Sequence, residues 1–257
     1  MHVKELFDLT GKVAIVTGGG RGLGEQIAKG FAEAGANVVL CSRNVEACQE
    51  ISEELKGLGV ESFALKCDVT NKEDVQRVVD ETKEKFGRID ILVNNSGASW
   101  GAPAEEMPLE AWNKVMNVNV TGTFLMSQAV GKIMLAQKSG KIINIASIAG
   151  LVGTNPNVMN AVGYSASKGA VISFTKDLAA KWGPSGIYVN ALAPGFFPTK
   201  MSKDVISHGT DVILESIPLK KFGNEDELKG AALFLAAPAS NYVTGSVLVV
   251  DGGTSIV

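Results

Sequence analysis

Histidine and cysteine are scarce in this sequence, and their scarcity excludes several kinds of site. The 257 residues include two histidines and three cysteines, which leaves almost no material for a histidine-based metal centre or a Ser-His-Asp triad. Cys41, Cys48 and Cys67 are odd in number and lack CxxC spacing. We therefore expect no metal, and thiols that stay reduced in a cytoplasmic protein.

Long runs of apolar residues and long runs of basic residues are also missing. No apolar run approaches the roughly 18 residues of a membrane span, and residues 1–8 carry acids where a signal peptide needs an apolar stretch. The net charge is −3 without a long basic run, so we expect neither a membrane nor a nucleic acid as partner. No linker, repeat or low-complexity tract divides the chain, which predicts one domain over residues 1–257.

Short β-branched runs alternate with longer helical segments along the chain. The predicted strands cover residues 12–16, 37–41, 61–67, 89–93, 141–145, 187–191 and 247–250. The predicted helices cover residues 23–34, 45–58, 72–86, 109–137, 162–182 and 225–235. This alternation predicts a Rossmann-type α/β fold, a doubly wound parallel sheet of about seven strands with helices on both faces.

Two further patterns concern the connections. Gly35, Gly59, Gly87 and Gly140 are predicted to end helices. Residues 194–223 lack the residue pattern of a strand, and they follow the carboxyl end of a predicted strand. In an open α/β sheet, an insertion at that place is a candidate lid over the substrate.

A glycine-rich loop joins the first predicted strand to the first predicted helix. Residues 17–24 read TGGGRGLG, with three residues between Gly18 and Gly22 rather than the usual GxGxxG spacing. Glycines here allow a tight turn and a close approach of backbone N–H groups to a diphosphate at the helix N-terminus. The loop therefore predicts a dinucleotide site.

Charge at the end of the second strand indicates which dinucleotide binds. An NAD-binding unit places an acid there for the ribose 2′-hydroxyl, but the first acid in this sequence, Glu46, lies inside the next helix. Arg43 at the strand tip and Arg21 in the glycine loop provide two cations that suit a 2′-phosphate. We therefore expect NADP(H) as the cofactor.

Tyr164 and Lys168 form the most informative pair in the chain. Residues four apart on the predicted helix share a face, so a phenol lies beside an ammonium group. A free tyrosine has a pKa of about 10, and a neighbouring cation is expected to lower that pKa. The pair can then protonate a carbonyl oxygen or deprotonate an alcohol.

With TGxxxGxG near its start and YxxxK in its later half, the chain resembles the short-chain dehydrogenase/reductase family over essentially its whole length. The NNSG run at residues 94–97 matches the family's NNAG, with Ser96 in place of the usual alanine. The PG at residues 194–195 and the DGG at residues 251–253 match further family motifs in the family's order.

The resemblance implies the residues of the site. It assigns catalysis to Asn119, Ser147, Tyr164 and Lys168. It assigns the cofactor to Gly18, Arg21, Gly22, Leu23, Gly24, Ser42, Arg43, Asp68, Val69, Asn95, Tyr164, Lys168, Pro194, Gly195 and Thr199. By the same resemblance Tyr164 transfers the proton, Ser147 orients the carbonyl, Lys168 also bonds the nicotinamide ribose, and Asn119 holds a water that links Lys168 to solvent.

The chain departs from the family between Ser147 and Tyr164, which are several residues further apart than is common. The extra residues, 153–160, form a loop that lines the substrate pocket, reaches a neighbouring subunit, or lies in solvent without a role. The apolar residues predicted to face a small-molecule substrate are Trp100, Val158, Met159, Phe196, Phe197 and Met201.

Residues 6–12 (LFDLTGK) and the inserted loop resemble the gluconate 5-dehydrogenase-like branch, which interconverts sugar acids with keto acids and includes carbonyl reductases of broad scope. The rival is a 3-oxoacyl-[acyl-carrier-protein] reductase, whose acidic partner calls for a basic surface beside the pocket. A dinucleotide-binding sensor is a third, noncatalytic alternative. Helices 109–137 and 162–182 resemble the family's dimerisation pair, which implies a homotetramer.

Overall fold

The computed structural model describes residues 2–200 and 202–257, and seven strands form its sheet. The strands are β1 (Val13–Thr17), β2 (Asn37–Ser42), β3 (Ser62–Lys66), β4 (Ile91–Asn94), β5 (Gly140–Ile145), β6 (Ile187–Pro194) and β7 (Val247–Val250). All neighbouring strands run parallel, in the order β3-β2-β1-β4-β5-β6-β7. The predicted Rossmann-type sheet is confirmed.

Helices cover both faces of this sheet. They are α1 (Gly22–Glu33), α2 (Val45–Lys56), α3 (Lys72–Phe86), α4 (Leu109–Met116), α5 (Gly122–Gln137), α6 (Val162–Trp182), α7 (Lys203–Ser216) and α8 (Glu225–Ala236). Phe31 of α1 and Leu228 of α8 belong to the core on one face, while Val78 of α3 and Met126 of α5 belong to the core on the other. Each such side chain contributes about 1.5–3 kcal/mol when fully buried.

The strand order reverses between β1 and β4, and this position determines where a ligand can bind. β1 is followed along the chain by β2 on one side of the sheet, whereas β4 lies on its other side. The loops that leave the carboxyl ends of these two strands therefore diverge and leave a crevice between them.

The helix predicted over residues 109–137 is interrupted. A π-helical turn, Asn117–Thr121, separates α4 from α5, and such turns frequently occur at functional sites. The end of α5 also differs from the prediction, because Lys138 takes the left-handed conformation (φ 54°) and Gly140 opens β5. Gly35 and Gly87 do take the positive φ values expected of helix-ending glycines.

The segment predicted to be irregular, residues 194–223, contains α7. The backbone of α7 departs from helical geometry at Gly209 (φ −130°, ψ 22°). The two ends of the segment lie close together, since Gly223 N donates to Phe196 O at 2.9 Å. Its function as a lid stays a prediction.

Four buried polar side chains connect the sheet to two helices. Asn94 Nδ2 donates to Asn144 Oδ1 at 2.8 Å and to Ser127 Oγ at 3.0 Å. Asn144 Nδ2 in turn donates to Thr175 Oγ1 at 2.9 Å. The four residues thus tie β4 and β5 to α5 and α6, close to the carboxyl edge of the sheet.

Within the described ranges, no helix is long and apolar enough to cross a membrane. The same ranges hold no group of three or more acidic, histidine or cysteine side chains arranged to bind a metal.

Candidate active site

A cleft of about 610 Å³ opens at the carboxyl ends of the central strands. Fifteen of the predicted site residues line it: Gly18, Arg21, Gly22, Leu23, Ser42, Arg43, Asp68, Val69, Asn95, Ser147, Tyr164, Lys168, Pro194, Gly195 and Thr199. Two of the predicted residues, Gly24 and Asn119, do not line the cleft and lie behind its wall.

The glycine loop is shaped by contacts that a side chain would destroy. Gly18 has a φ of +65°, and a Cβ on Gly24 would lie 2.4 Å from both Gly18 O and Asn95 Nδ2. The Asn95 amide holds the loop from the other side by donating to Thr17 O at 2.9 Å. Gly24 therefore permits the loop conformation without facing the cleft, and the backbone N–H groups of the loop lead into α1, where an anion is favoured.

Two arginines flank the far end of the cleft. Arg21 precedes α1 and Arg43 follows β2, and both side chains are exposed. In the described part of the chain neither guanidinium has a hydrogen-bonding or ionic partner. Ser42 Oγ donates to Asn44 O at 2.6 Å, which fixes the turn that carries Arg43. Both cations are thus available to an anionic ligand.

Tyr164 and Ser147 meet at the opposite end of the cleft. Tyr164 lies in the first turn of α6, and Ser147 follows β5. Burial raises the pKa of the Tyr164 phenol, and a hydrogen bond with Ser147 acts against that shift. Ser147 Oγ also accepts from Ala149 N at 3.2 Å, which orients the serine toward the cleft. The pair can bind and polarise a carbonyl group.

Lys168 lies one helical turn after Tyr164, as the sequence predicted. Its Nζ is 5.5 Å from the centroid of the tyrosine ring and donates to Ile145 O at 2.6 Å. Burial lowers the pKa of Lys168 to about 8. The predicted lowering of the tyrosine pKa is wrong, because burial of the phenol dominates and the lysine is itself desolvated.

Asn119 lies in the π-helical turn with 1% of its surface exposed. Its Oδ1 accepts from Ala98 N at 2.7 Å, and its Nδ2 donates to Ala98 O at 3.0 Å and to Ser167 Oγ at 2.8 Å. The amide thus clamps the loop after β4 to α6. Its expected part in holding a water stays a prediction.

The inserted loop forms part of the wall of the cleft. Five of its residues line the wall: Gly153, Thr154, Asn155, Val158 and Met159. The loop closes on itself, since Met159 N donates to Asn155 O at 2.9 Å. Of the three alternatives for this loop, its position favours the substrate pocket.

The predicted apolar substrate residues have different positions. Val158, Met159, Phe196 and Phe197 line the cleft, although Phe197 is 4% exposed and also belongs to a hydrophobic core. Trp100 does not line the cleft. Met201 lies outside the described residues.

Several residues of the wall carry no signal in the sequence. Val205, Val212 and Ser216 reach it from α7, and Thr254 and Val257 reach it from the segment after β7. No local motif marks these positions, because they come to the cleft through the packing of distant segments. Ser96, which replaces the usual alanine of the family's NNAG motif, also lines the cleft. Its hydroxyl has no partner among the described residues.

A parallel sheet with a glycine loop after its first strand, and a Ser–Tyr–Lys group across the same cleft, defines a dehydrogenase of the short-chain class. The chain belongs to the short-chain dehydrogenase/reductase family: residues 18–255 match the family model described as enoyl-(acyl carrier protein) reductase. Members of this family are oxidoreductases, and this chain acts on CH–OH or C=O groups.

Individual relatives resemble this chain over nearly its full length. Gluconate 5-dehydrogenase from Gluconobacter oxydans is 39% identical, covering 100% of this chain and 99% of the relative. A 3-oxoacyl-[acyl-carrier-protein] reductase from Synechocystis sp. is 42% identical, covering 95% and 97%. The structure of a gluconate 5-dehydrogenase from Burkholderia cenocepacia in complex with NADP and tartrate is 38% identical, with a TM-score of 0.94 and 100% coverage of both chains.

Proposed function

We propose that this protein is an NADP(H)-dependent enzyme that interconverts a ketone and a secondary alcohol. The observation that carries the proposal is the shared cleft. It has Ser147, Tyr164 and Lys168 at one end and, at the other, Arg21 and Arg43, which have no partner among the described residues. The glycine loop between them fits a dinucleotide, because its glycines leave room for a close backbone approach. The Burkholderia relative, with NADP in its structure, supports the choice of cofactor.

When bound, NADPH would supply the hydride for the substrate carbon in reduction, and NADP+ would accept it in oxidation. In the reductive direction, Ser147 donates a hydrogen bond to the carbonyl oxygen and stabilises its developing negative charge. Tyr164 donates its phenolic proton to that oxygen. In the oxidative direction the same phenol, once ionised, accepts the proton of the alcohol.

The pKa values explain why Lys168 is needed. Burial raises the pKa of Tyr164, so the phenol holds its proton firmly until charge develops on the substrate oxygen. Lys168, with a pKa near 8, is protonated below that value and then favours the phenolate that remains after transfer. Catalysis therefore couples the two groups across a 5.5 Å separation between the ammonium and the phenol ring.

The cofactor preference has a direct test. The substitution Arg43→Ser removes a cation that would pair with the 2′-phosphate. We therefore expect kcat/KM with NADPH to fall about tenfold to a hundredfold, while kcat/KM with NADH changes little. Lys83→Ser, which removes an exposed cation on α3, is the control. A wild-type preference for NADH would contradict the NADP(H) assignment.

For the substrate, we propose a sugar acid or a related polyhydroxy keto acid. The full-length similarity to gluconate 5-dehydrogenase supports this class, as do polar wall residues such as Thr154, Asn155 and Thr254. The second candidate is a 3-oxoacyl thioester. It is supported by the Synechocystis relative and by apolar wall residues such as Val152 and Phe196.

NADPH oxidation distinguishes these candidates. Turnover of 5-ketogluconate supports the first substrate class, and turnover of an acetoacetyl thioester supports the second. Binding of NADPH with no turnover of any carbonyl compound would instead favour the sensor and overturn the enzymatic proposal.

We also propose that the chain forms a homotetramer. Exposed apolar side chains on the helices of the expected dimerisation pair, namely Leu109, Phe124 and Val162, support an association through this surface. Light scattering on the purified protein would measure the mass, and a monomer would contradict the proposal.

A further inference from the structure

Ser167 is a buried serine inside the YxxxK run, and none of the roles above uses it. Its side chain is fully buried, with 0% exposed. Its Oγ donates to Tyr164 O at 2.7 Å, and it accepts from Asn119 Nδ2 at 2.8 Å. One hydroxyl therefore joins the π-helical turn to the first turn of α6.

The hydroxyl of Ser167 adds a third contact to the two with Ala98 that orient the Asn119 amide. A serine has a single proton to donate, and Tyr164 O can only accept it. The serine oxygen is thus left to accept from Asn119, which must present its NH₂ group to Ser167. The amide oxygen of Asn119 then faces Ala98 N, at 2.7 Å.

This orientation affects the surroundings of Lys168. A Cβ built on Gly97 would lie 3.5 Å from Asn119 Oδ1 and 4.0 Å from Lys168 Nζ. The amide oxygen and the ammonium group therefore border the same space, which is free of side chains because residue 97 is glycine. If the amide were reversed, an NH₂ group would border that space instead of an acceptor.

We propose that Ser167 is a positioning residue for proton transfer. It reinforces the direction that Ala98 gives the Asn119 amide and couples that amide to the backbone that carries Tyr164. The proposal rests on the proposed function, because the reaction it serves is the proton transfer by Tyr164.

Kinetics of Ser167→Ala test the positioning role. Losing one buried hydrogen-bonding group should lower kcat about fivefold to tenfold. The Kd for NADPH should stay within about twofold, and the pH profile of kcat should move. Ser167→Thr keeps the hydroxyl and should recover much of the rate. Ser165→Ala is the matched control, since Ser165 lies on the same helix and its hydroxyl has no partner among the described residues.

Two kinetic results would overturn the proposal. One is an unchanged kcat and pH profile in Ser167→Ala. The other is an equal loss of kcat in Ser167→Ala and Ser165→Ala, since that would show a general sensitivity of α6 rather than positioning by this hydroxyl.

A second experiment does not depend on activity. In Asn119→Leu, the side chain can neither donate to Ser167 nor accept from it, so the substitution should weaken folding more in the wild-type background than beside Ser167→Ala. We expect the unfolding equilibrium constants of the double-mutant cycle to depart from additivity by at least about threefold. Additive effects would overturn the proposal. Wild-type protein that turns over no carbonyl compound would overturn the proposed function, and the unfolding cycle would still test the coupling of Ser167 to Asn119 by itself.

Discussion

The two ends of β5 carry similar chemical groups in different surroundings. At its start, Lys141 Nζ lies 4.0 Å from the centroid of the Tyr188 ring and donates to Ser240 Oγ at 3.0 Å. At its end, Lys168 Nζ lies 5.5 Å from the Tyr164 ring and donates to a backbone oxygen of β5. Burial lowers the pKa of each lysine to about 8.

Access to a cleft separates these two lysine–tyrosine pairs. Tyr164 and Lys168 line the cleft, whereas Lys141, Tyr188 and Ser240 do not. Ser240 Oγ is also close to the backbone oxygens of its own turn, and the nearest of them is Leu235 O at 3.0 Å. A shifted lysine pKa beside a tyrosine is therefore not a sign of function by itself, and it becomes one only where a substrate can reach it.

The largest expected difference between the two pairs concerns the tyrosines. Tyr164→Phe removes the proton donor, so kcat should fall about a thousandfold or more while NADPH binding is largely kept. Tyr188→Phe should leave kcat within about twofold. Steady-state rates and a fluorescence titration with NADPH measure both quantities, and near-normal turnover in Tyr164→Phe would refute its role.

Substituting Lys168 should lower turnover more than substituting Lys141, and this difference should be smaller than the one between the two tyrosines. Lys168→Met removes the cation that favours the phenolate, and we expect kcat to fall about a hundredfold. Lys141→Met removes a cation that does not line the cleft, so turnover should remain within about twofold. Equal losses in the two variants would mean that the start of β5 is coupled to the cleft.

The smallest effect is on stability and its pH dependence. Lys141 has a folded pKa below its unfolded value of 10.5, so the unfolded chain binds more protons between pH 8 and that value. This group therefore destabilises the fold fully below about pH 8, and the penalty is relieved as pH rises. Lys141→Met should gain about 1–3 kcal/mol at pH 7.

Urea unfolding at pH 7, 8 and 9 measures this gain. The difference between Lys141→Met and wild type should shrink as pH rises through the upper part of that range. A constant difference would show that packing, rather than the buried charge, determines the effect of the substitution.

The sheet and the place of the glycine loop in the cleft were readable from the sequence because short-range chemistry determines them. The glycine loop follows a buried strand directly, so its place in the fold could be inferred from neighbouring residues. The four-residue spacing of Tyr164 and Lys168 needed only a helix to bring the two side chains to one face.

Other features depend on distant contacts and could not be read in this way. The π-helical turn arises where Asn119 binds Ala98 and Ser167, which lie 21 and 48 residues away. The direction in which the tyrosine pKa shifts depends on burial, which only the folded structure shows. The α7 residues that line the cleft carry no motif, and this explains why the class of reaction was clearer than the identity of the substrate.

The polar network of Asn94, Ser127, Asn144 and Thr175 also constrains how the sequence can diverge. Each side chain is a hydrogen-bonding partner of at least one other member, so losing one residue leaves a buried group unsatisfied elsewhere. Descendants of this chain should therefore keep all four residues or exchange them in compensating pairs. A substitution at only one of the four positions is expected to be rare, even though none of these residues lines the cleft.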